Sequence, residues 1–274
     1  MLIADAQIHL WEKGTPSAHH RQEPYSAEEA IAGMDAAGVD RALIHPVLWD
    51  PDSNELALDA VRRYPDRFAV MGWFYLDYPD GRDLVAHWKE RPGMLGLRFY
   101  TNERHPQSWF TDGTLDWLWP AAERAGVPVA LGAAMFLPVV GEIAARHPRL
   151  KLIVDHMGVP RASKGEAAYR FQPELLALAK YPNVAVKATG QAGYAEDKYP
   201  FRSLHPHLRR CFDAFGPERM FWGADITRMP CSWRQCVTLF TEELPWLKGR
   251  DLELVMGEAL CNWIGWPLPA GAGN

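Results

Sequence analysis

The sequence predicts an α/β protein, a single (β/α)₈ TIM barrel with extra C-terminal helices, on three observations. Short apolar runs alternate with amphipathic stretches, the run count reaches eight, and the two kinds of connection between them differ in length. A barrel of this class needs about 250 residues, so 274 residues suit one domain over positions 1–274.

The apolar runs cover residues 2–10, 41–47, 68–76, 94–100, 128–133, 150–157, 183–189 and 219–225. They are rich in Val, Ile, Leu and Phe and apolar on both parities, as strands of a parallel sheet buried on both faces are. The stretches 27–37, 54–64, 83–91, 115–125, 138–146, 167–180 and 204–215 repeat apolar residues at three- and four-residue steps, the period of a helix with one buried side. Two more, 234–244 and 251–264, follow the last run and are expected to cover the outside. Eight strand–helix units favour closure over an open sheet.

Connections from helix to strand are short and built from turn residues, as in Ala37-Gly38-Val39-Asp40, Arg91-Pro92-Gly93 and Ala125-Gly126-Val127-Pro128. Gly and Pro end helices cleanly there. Connections from strand to helix are long: 11–26, 101–114, 158–167 and 190–203. A barrel enzyme shows this asymmetry, with its functional loops gathered at the carboxyl ends of the strands.

A net charge of −5 with no Lys/Arg cluster argues against nucleic acid as a partner. No stretch of 18 apolar residues offers a membrane span, and the first residues lack the basic and apolar regions of a secretory signal. Four scattered cysteines match no zinc spacing and read as reduced thiols of a cytoplasmic protein. Twelve tryptophans are unusual, and a mouth lined by some of them would suit a ring-shaped ligand.

Alternation along a strand assigns faces. Asp5, Gln7 and His9 share one parity and are expected to face inward, as a ligand site or as a hydrogen-bonded cluster capping the barrel. His156 ends the sixth run, where barrel enzymes place catalytic groups, while Asp155, of opposite parity, is expected to brace the barrel-to-helix packing or a neighbouring loop. Asp225 ends the eighth run after Gly223, whose missing side chain leaves room for a ligand. Arg98 is read as a clamp for a substrate carboxylate, with an internal ion pair as the competing reading. Lys187 shares parity with Thr189 and carries the same two readings. His45 and Tyr194 are candidate pocket walls, and His19, His20, His205 and His207 are read as surface or loop residues.

Six segments carry a family resemblance: Asp5-Ala6-Gln7-Ile8-His9-Leu10-Trp11, Met34-Asp35-Ala36-Ala37-Gly38-Val39, Gly96-Leu97-Arg98, Asp155-His156-Met157-Gly158, Val186-Lys187-Ala188-Thr189-Gly190 and Phe221-Trp222-Gly223-Ala224-Asp225. In these the chain resembles the amidohydrolase-related family of metal-dependent hydrolases, in the branch that includes pyrone-dicarboxylate lactonase and fuconolactonase-like enzymes. Family members carry a His-x-His pair on the first strand, where this sequence has Gln7 before His9. A further family ligand, on the fifth strand, has no counterpart in Val129-Ala130-Leu131-Gly132-Ala133.

The resemblance therefore implies hydrolysis of a lactone, of a sugar acid or an aromatic-degradation intermediate, with no metal required. Asp225 would be the general base, with His9, His156 and Gln7 stabilising the oxyanion. Arg98, Lys187 and Arg228 would hold a substrate carboxylate, and Tyr100, Trp49 and Trp222 would shape the pocket. Loop residues such as His105, Trp109, Arg161, Lys164 and Tyr194 would select the substrate. Two alternatives stay open. One is a metal-dependent hydrolase or decarboxylase with a single divalent ion (Zn or Mn) on His9, His156 and Asp225. The other is a small-molecule-binding relative without turnover. Oligomeric state is open between a single copy and a homodimer.

Overall fold

In the computed structural model, which describes residues 1–16, 19–101 and 106–269, eight parallel strands follow one another round a barrel in chain order. They are β1 (Ala4–Ile8), β2 (Arg41–Ile44), β3 (Phe68–Trp73), β4 (Met94–Tyr100), β5 (Val129–Gly132), β6 (Leu152–Val154), β7 (Val184–Thr189) and β8 (Met220–Gly223). Each lies inside an expected run, trimmed at the ends where the chain turns into loops.

The main helices of the outer layer are α1 (Ala27–Ala37), α2 (Ser53–Arg63), α3 (Gly81–Ala86), α4 (Leu118–Ala125), α5 (Leu137–Arg146), α6 (Gly165–Ala168), α7 (Gln172–Ala177), α8 (His205–Phe215) and α9 (Trp233–Thr241). Local chemistry sets their ends. Ser26 caps α1 with a full capping box to Glu29, and Gly38 closes it in the left-handed region, each relieving backbone groups that a helix end leaves unpaired.

The sheet divides the apolar residues into two layers. Ile44, Val70, Leu97, Leu131, Val154, Val186 and Trp222 face the helices. Ala4, Ala6, Leu43, Ala69, Met71, Ala130, Ile153, Ala185 and Phe221 fill the barrel interior, a packed core rather than a pore. Trp222 is thus no pocket wall: its indole donates to the Cys236 carbonyl on α9.

The last two expected helices divide the work. Helix α9 packs beside α1 on the outside. The final segment, α10 (Gly249–Glu253), a π-helical turn and α11 (Ala259–Ile264), joins the interior cluster instead. It closes the amino-terminal end, where Arg41 and Lys151 at the starts of β2 and β6 donate to the carbonyls of Pro267 and Trp263. Gly257 is required there, since a Cβ would lie 2.8 Å from the Leu2 carbonyl oxygen.

Candidate active site

At the opposite end the strands open into a cavity of about 400 Å³, walled in part by Trp49, Trp73, Tyr100, Phe136, Tyr194 and His19. Its floor is polar. Gln7, His9, Asp155 and His156 reach it from β1 and the end of β6, with Arg98 from β4 and Arg228 beyond β8.

Two departures from regular strand geometry aim these side chains. The β1–β2 pairing shifts register between Asp5 and Ile8. Such an irregularity reverses the side-chain parity beyond it, so Ala6 and Gln7 both face inward and His9 follows. Asp5 turns the other way, against the inward placement that simple alternation assigns it. Its carboxylate accepts Nε1–H of Trp233 on α9 at 2.8 Å and the backbone N–H of Ala224 at 2.9 Å. Burial pushes the Asp5 carboxyl up to about 7, opposed by its hydrogen bonds to Gln7, Ala224 and Trp233.

After β6 the chain enters the left-handed region at His156 (φ 54°) and Met157 (φ 55°), which only a locally supported backbone tolerates in non-glycine residues. Ile153 and Asp155 point inward by alternation, and the turn brings His156 in beside them. Asp155 is therefore not an outside brace. It accepts Arg98 Nε at 2.7 Å and lies 2.7 Å from Lys187 Nζ. Burial would raise its pKa, but Lys187 and Arg98 hold the carboxyl far below the usual range. Lys187 does not contact the cavity as a substrate clamp would. It is completely buried beneath the floor, where its ammonium needs carboxylate and amide partners.

The floor is one connected cluster. Gln7 Nε2 lies 3.2 Å from His9 Nε2, 3.4 Å from His156 Nε2 and 3.5 Å from Asp225 Oδ2. His9 Nε2 is 3.2 Å from Asp225 Oδ1, and Arg228 Nη1 is 3.4 Å from Asp225 Oδ2. Asp225 is itself left-handed (φ 53°) and fully buried. Burial works against its charge, but the polar groups packed on it, the Arg228 guanidinium among them, hold the carboxyl well below its ordinary range. Burial also brings His156 down to about 3, so it is neutral at pH 7.

The partners assign both imidazole tautomers. His9 Nδ1 is 2.6 Å from the His45 carbonyl oxygen, which can only accept. His156 Nδ1 is 3.3 Å from the Thr189 carbonyl oxygen, likewise an acceptor only, and 2.8 Å from Thr189 Oγ1. Both rings thus carry the proton on Nδ1 and turn an Nε2 lone pair toward Gln7.

Other expectations move. His45 is no pocket wall but lies wholly buried under the floor, its Nε2 3.1 Å from the Ala6 carbonyl oxygen. His19, taken for a loop residue, lines the cavity: its ring sits 5.3 Å from that of His9 and 5.0 Å from that of Trp49. A long loop delivers it, and nothing in its spacing signals that. His207 is buried too, stacked on Tyr169 away from the cavity. Of the expected selectivity residues, Arg161 and Tyr194 line the cavity, and His105 falls outside the described residues.

Comparison with known proteins places this geometry. A family model described as amidohydrolase matches residues 4–272. The L-fucono-1,5-lactonase of Burkholderia ambifaria is 25% identical over 232 residues, spanning 81% of this chain and 79% of that protein. Among solved structures, an amidohydrolase from Burkholderia multivorans with bound zinc superposes with a TM-score of 0.82 at 21% identity, over 97% of this chain and 100% of that one. A probable 2-pyrone-4,6-dicarboxylic acid hydrolase from Acinetobacter baumannii, with citric acid bound, gives 0.76 at 15% identity, over 97% and 100%. These two likenesses establish the fold.

Proposed function

The chain belongs to the amidohydrolase family and is a hydrolase, and on that premise we propose that it opens the ester bond of a small lactone without a metal ion. The observation that carries the reading is the convergence of His9, His156 and the Gln7 amide, which line the cavity, on Asp225 buried directly behind them. The lactonase name of the Burkholderia ambifaria relative supports the substrate class.

The zinc in the Burkholderia multivorans structure makes a metal the alternative to test. His9 Nε2, His156 Nε2 and Asp225 would be the ligands, and Asp225 Oδ1 has no hydrogen-bond partner among the described residues. Yet the Gln7 amide nitrogen stands 3.2–3.5 Å from an atom of each. An ion at about 2.0–2.2 Å from three ligands would press against amide N–H groups, which repel a cation. Among the described residues no group of three or more His, Cys, Asp or Glu is arranged to hold a metal. The residues do not fit one.

The chemistry then runs through the side chains. Asp225 draws a proton from the attacking water. A carboxylate held so far down is a weak base, so that proton must be passed on. His9 Nε2, 3.2 Å from Asp225 Oδ1, receives it and returns it to the departing alkoxide. Gln7 N–H and the Arg228 guanidinium face the carbonyl oxygen as it becomes an oxyanion, and each such donor contributes about 10²–10³ in rate. His156, neutral, fixes Gln7 beside Asp225. Among the described residues Arg98 makes its side-chain hydrogen bond to Asp155 alone and Arg161 makes no ion pair. Both suit a substrate carboxylate.

The test is acid release from a panel of sugar lactones, muconolactones and pyrone carboxylates, with and without a strong chelator. Hydrolysis that survives the chelator and disappears in Asp225→Asn is expected. Hydrolysis abolished by the chelator and restored by one divalent ion would overturn the reading.

A further inference from the structure

The side-chain amide of Gln7 has two orientations of nearly equal shape, and its surroundings choose between them. On one side lies Lys187 Nζ, 2.7 Å from Oε1. On the other lie the acceptors His9 Nε2, His156 Nε2 and Asp225 Oδ2. A lysine ammonium has three donors and no acceptor. Lys187 turns them toward Gln7 Oε1 and Asp155 Oδ1 (2.7 Å), while the nearby His45 Nε2 (3.2 Å) faces the Ala6 carbonyl oxygen, which can only accept. The side chain is fully buried, so no solvent can replace a lost partner. Rotating the amide by half a turn would set NH₂ against the ammonium and the oxygen against three acceptors.

We infer that Lys187 is a positioning residue that locks the Gln7 amide with its N–H groups on the point shared by His9, His156 and Asp225, so that the amide takes the place of a divalent cation. The inference rests on the metal-free reading above and names the residues that enforce it. The three acceptors would repel one another with nothing positive between them, and the amide supplies that polarity with no net charge. It also makes a sharp claim about one atom. Replacing the amide nitrogen by oxygen, with the contact to Lys187 retained, turns the same site into a cation site.

Gln7→Glu makes that change at constant shape. One carboxylate oxygen stays on Lys187, and the other joins His9, His156 and Asp225. Purified wild type and Gln7→Glu are loaded with zinc, dialysed together and analysed for metal by mass spectrometry, with cobalt(II) absorption reporting the ligand field. The variant is expected to retain about one zinc per chain with a tetrahedral cobalt spectrum, and the wild type under about 0.1. Gln7→Met, which removes the N–H groups and adds no charge, guards against misfolding of the first variant. It should retain zinc more weakly than Gln7→Glu and at least tenfold more than wild type. Folded variants that retain no more zinc than wild type overturn the inference. If wild-type hydrolysis still withstands the chelator in that case, the proposed function stands without it. A wild type that holds one zinc and loses hydrolysis with it overturns both.

Discussion

Asp5 accepts the backbone N–H of Ala224 through both carboxylate oxygens, at 2.9 and 3.0 Å, across the seam where β8 meets β1. The same carboxylate takes the N–H of Gln7 at 3.0 Å and the indole of Trp233 at 2.8 Å. One side chain thus joins the two strands that bear Gln7 and Asp225 and ties them to α9. Asparagine offers one acceptor oxygen and turns an NH₂ on these donors. With each orphaned buried donor costing about 1–3 kcal/mol, Asp5→Asn should lose about 2–4 kcal/mol in urea denaturation. A loss under about 1 kcal/mol would show that the seam does not depend on it.

That seam also marks where sequence reading stops. Strand and helix positions were legible because turn chemistry and periodicity agree: the expected stretch 27–37 coincides with α1, which Ser26 and Gly38 bound. Asp225, His156 and His9 stood out as candidates because each ends an apolar run, and the fold brings the three side chains together. Facing was not legible. Parity holds only while the strand stays regular, and the shift between Asp5 and Ile8 and the left-handed turn at His156 break it at the cavity floor. Lys187 looked like a substrate clamp because one sequence shows no depth, and His19 was invisible because a long loop brings it in.

Asp155 carries two buried cations, Lys187 and Arg98. Removing its charge leaves both uncompensated, the situation in which a broken buried pair costs about 3–5 kcal/mol. Asp155→Ala should therefore be among the most destabilising single changes at the floor, read as a fall in the urea midpoint at unchanged slope. Retention of wild-type stability would mean that water reaches Lys187 in the variant.

Asp225→Asn keeps the shape of the cluster under the floor and removes the proposed acceptor of the water proton. Turnover should fall by about 10²–10⁴, with the thermal midpoint little changed. Because its polar neighbours, Arg228 among them, keep this carboxyl well below its ordinary range despite burial, the wild-type pH profile of kcat/KM should show no rising limb from Asp225 near neutrality. A limb there that vanishes in the variant would reassign the base.

His19 is brought down to about 3, chiefly by burial, from 6.5. The folded pKa lies below the unfolded one, so the unfolded chain binds the proton more readily between those values. The contribution is complete above pH 6.5 and is lost as pH falls toward 3. At pH 5 the loss is about 2 kcal/mol, at 1.36 kcal/mol per unit. His19→Gln lacks this term, so the wild type should lose about 2 kcal/mol more than the variant between pH 7 and pH 5. Parallel stability curves would show that the ring is hydrated in the native state.

Arg161 stands at the cavity mouth with its guanidinium 4.5 Å over the Tyr100 ring and no ion pair among the described residues. Arg98, on the same ring at 5.7 Å, is bound to Asp155. The two differ in what their loss should do. Arg161 would grip a carboxylate equally in substrate and transition state, so Arg161→Ala should raise KM about tenfold for a carboxylated lactone at constant kcat. A neutral lactone of the same ring should show little change. Arg98→Ala disturbs Asp155, and through it Lys187 and Gln7, so kcat should fall for both substrates. If Arg161→Ala instead lowers kcat on the neutral lactone, the residue acts on the reacting atoms and not on the charge at the mouth.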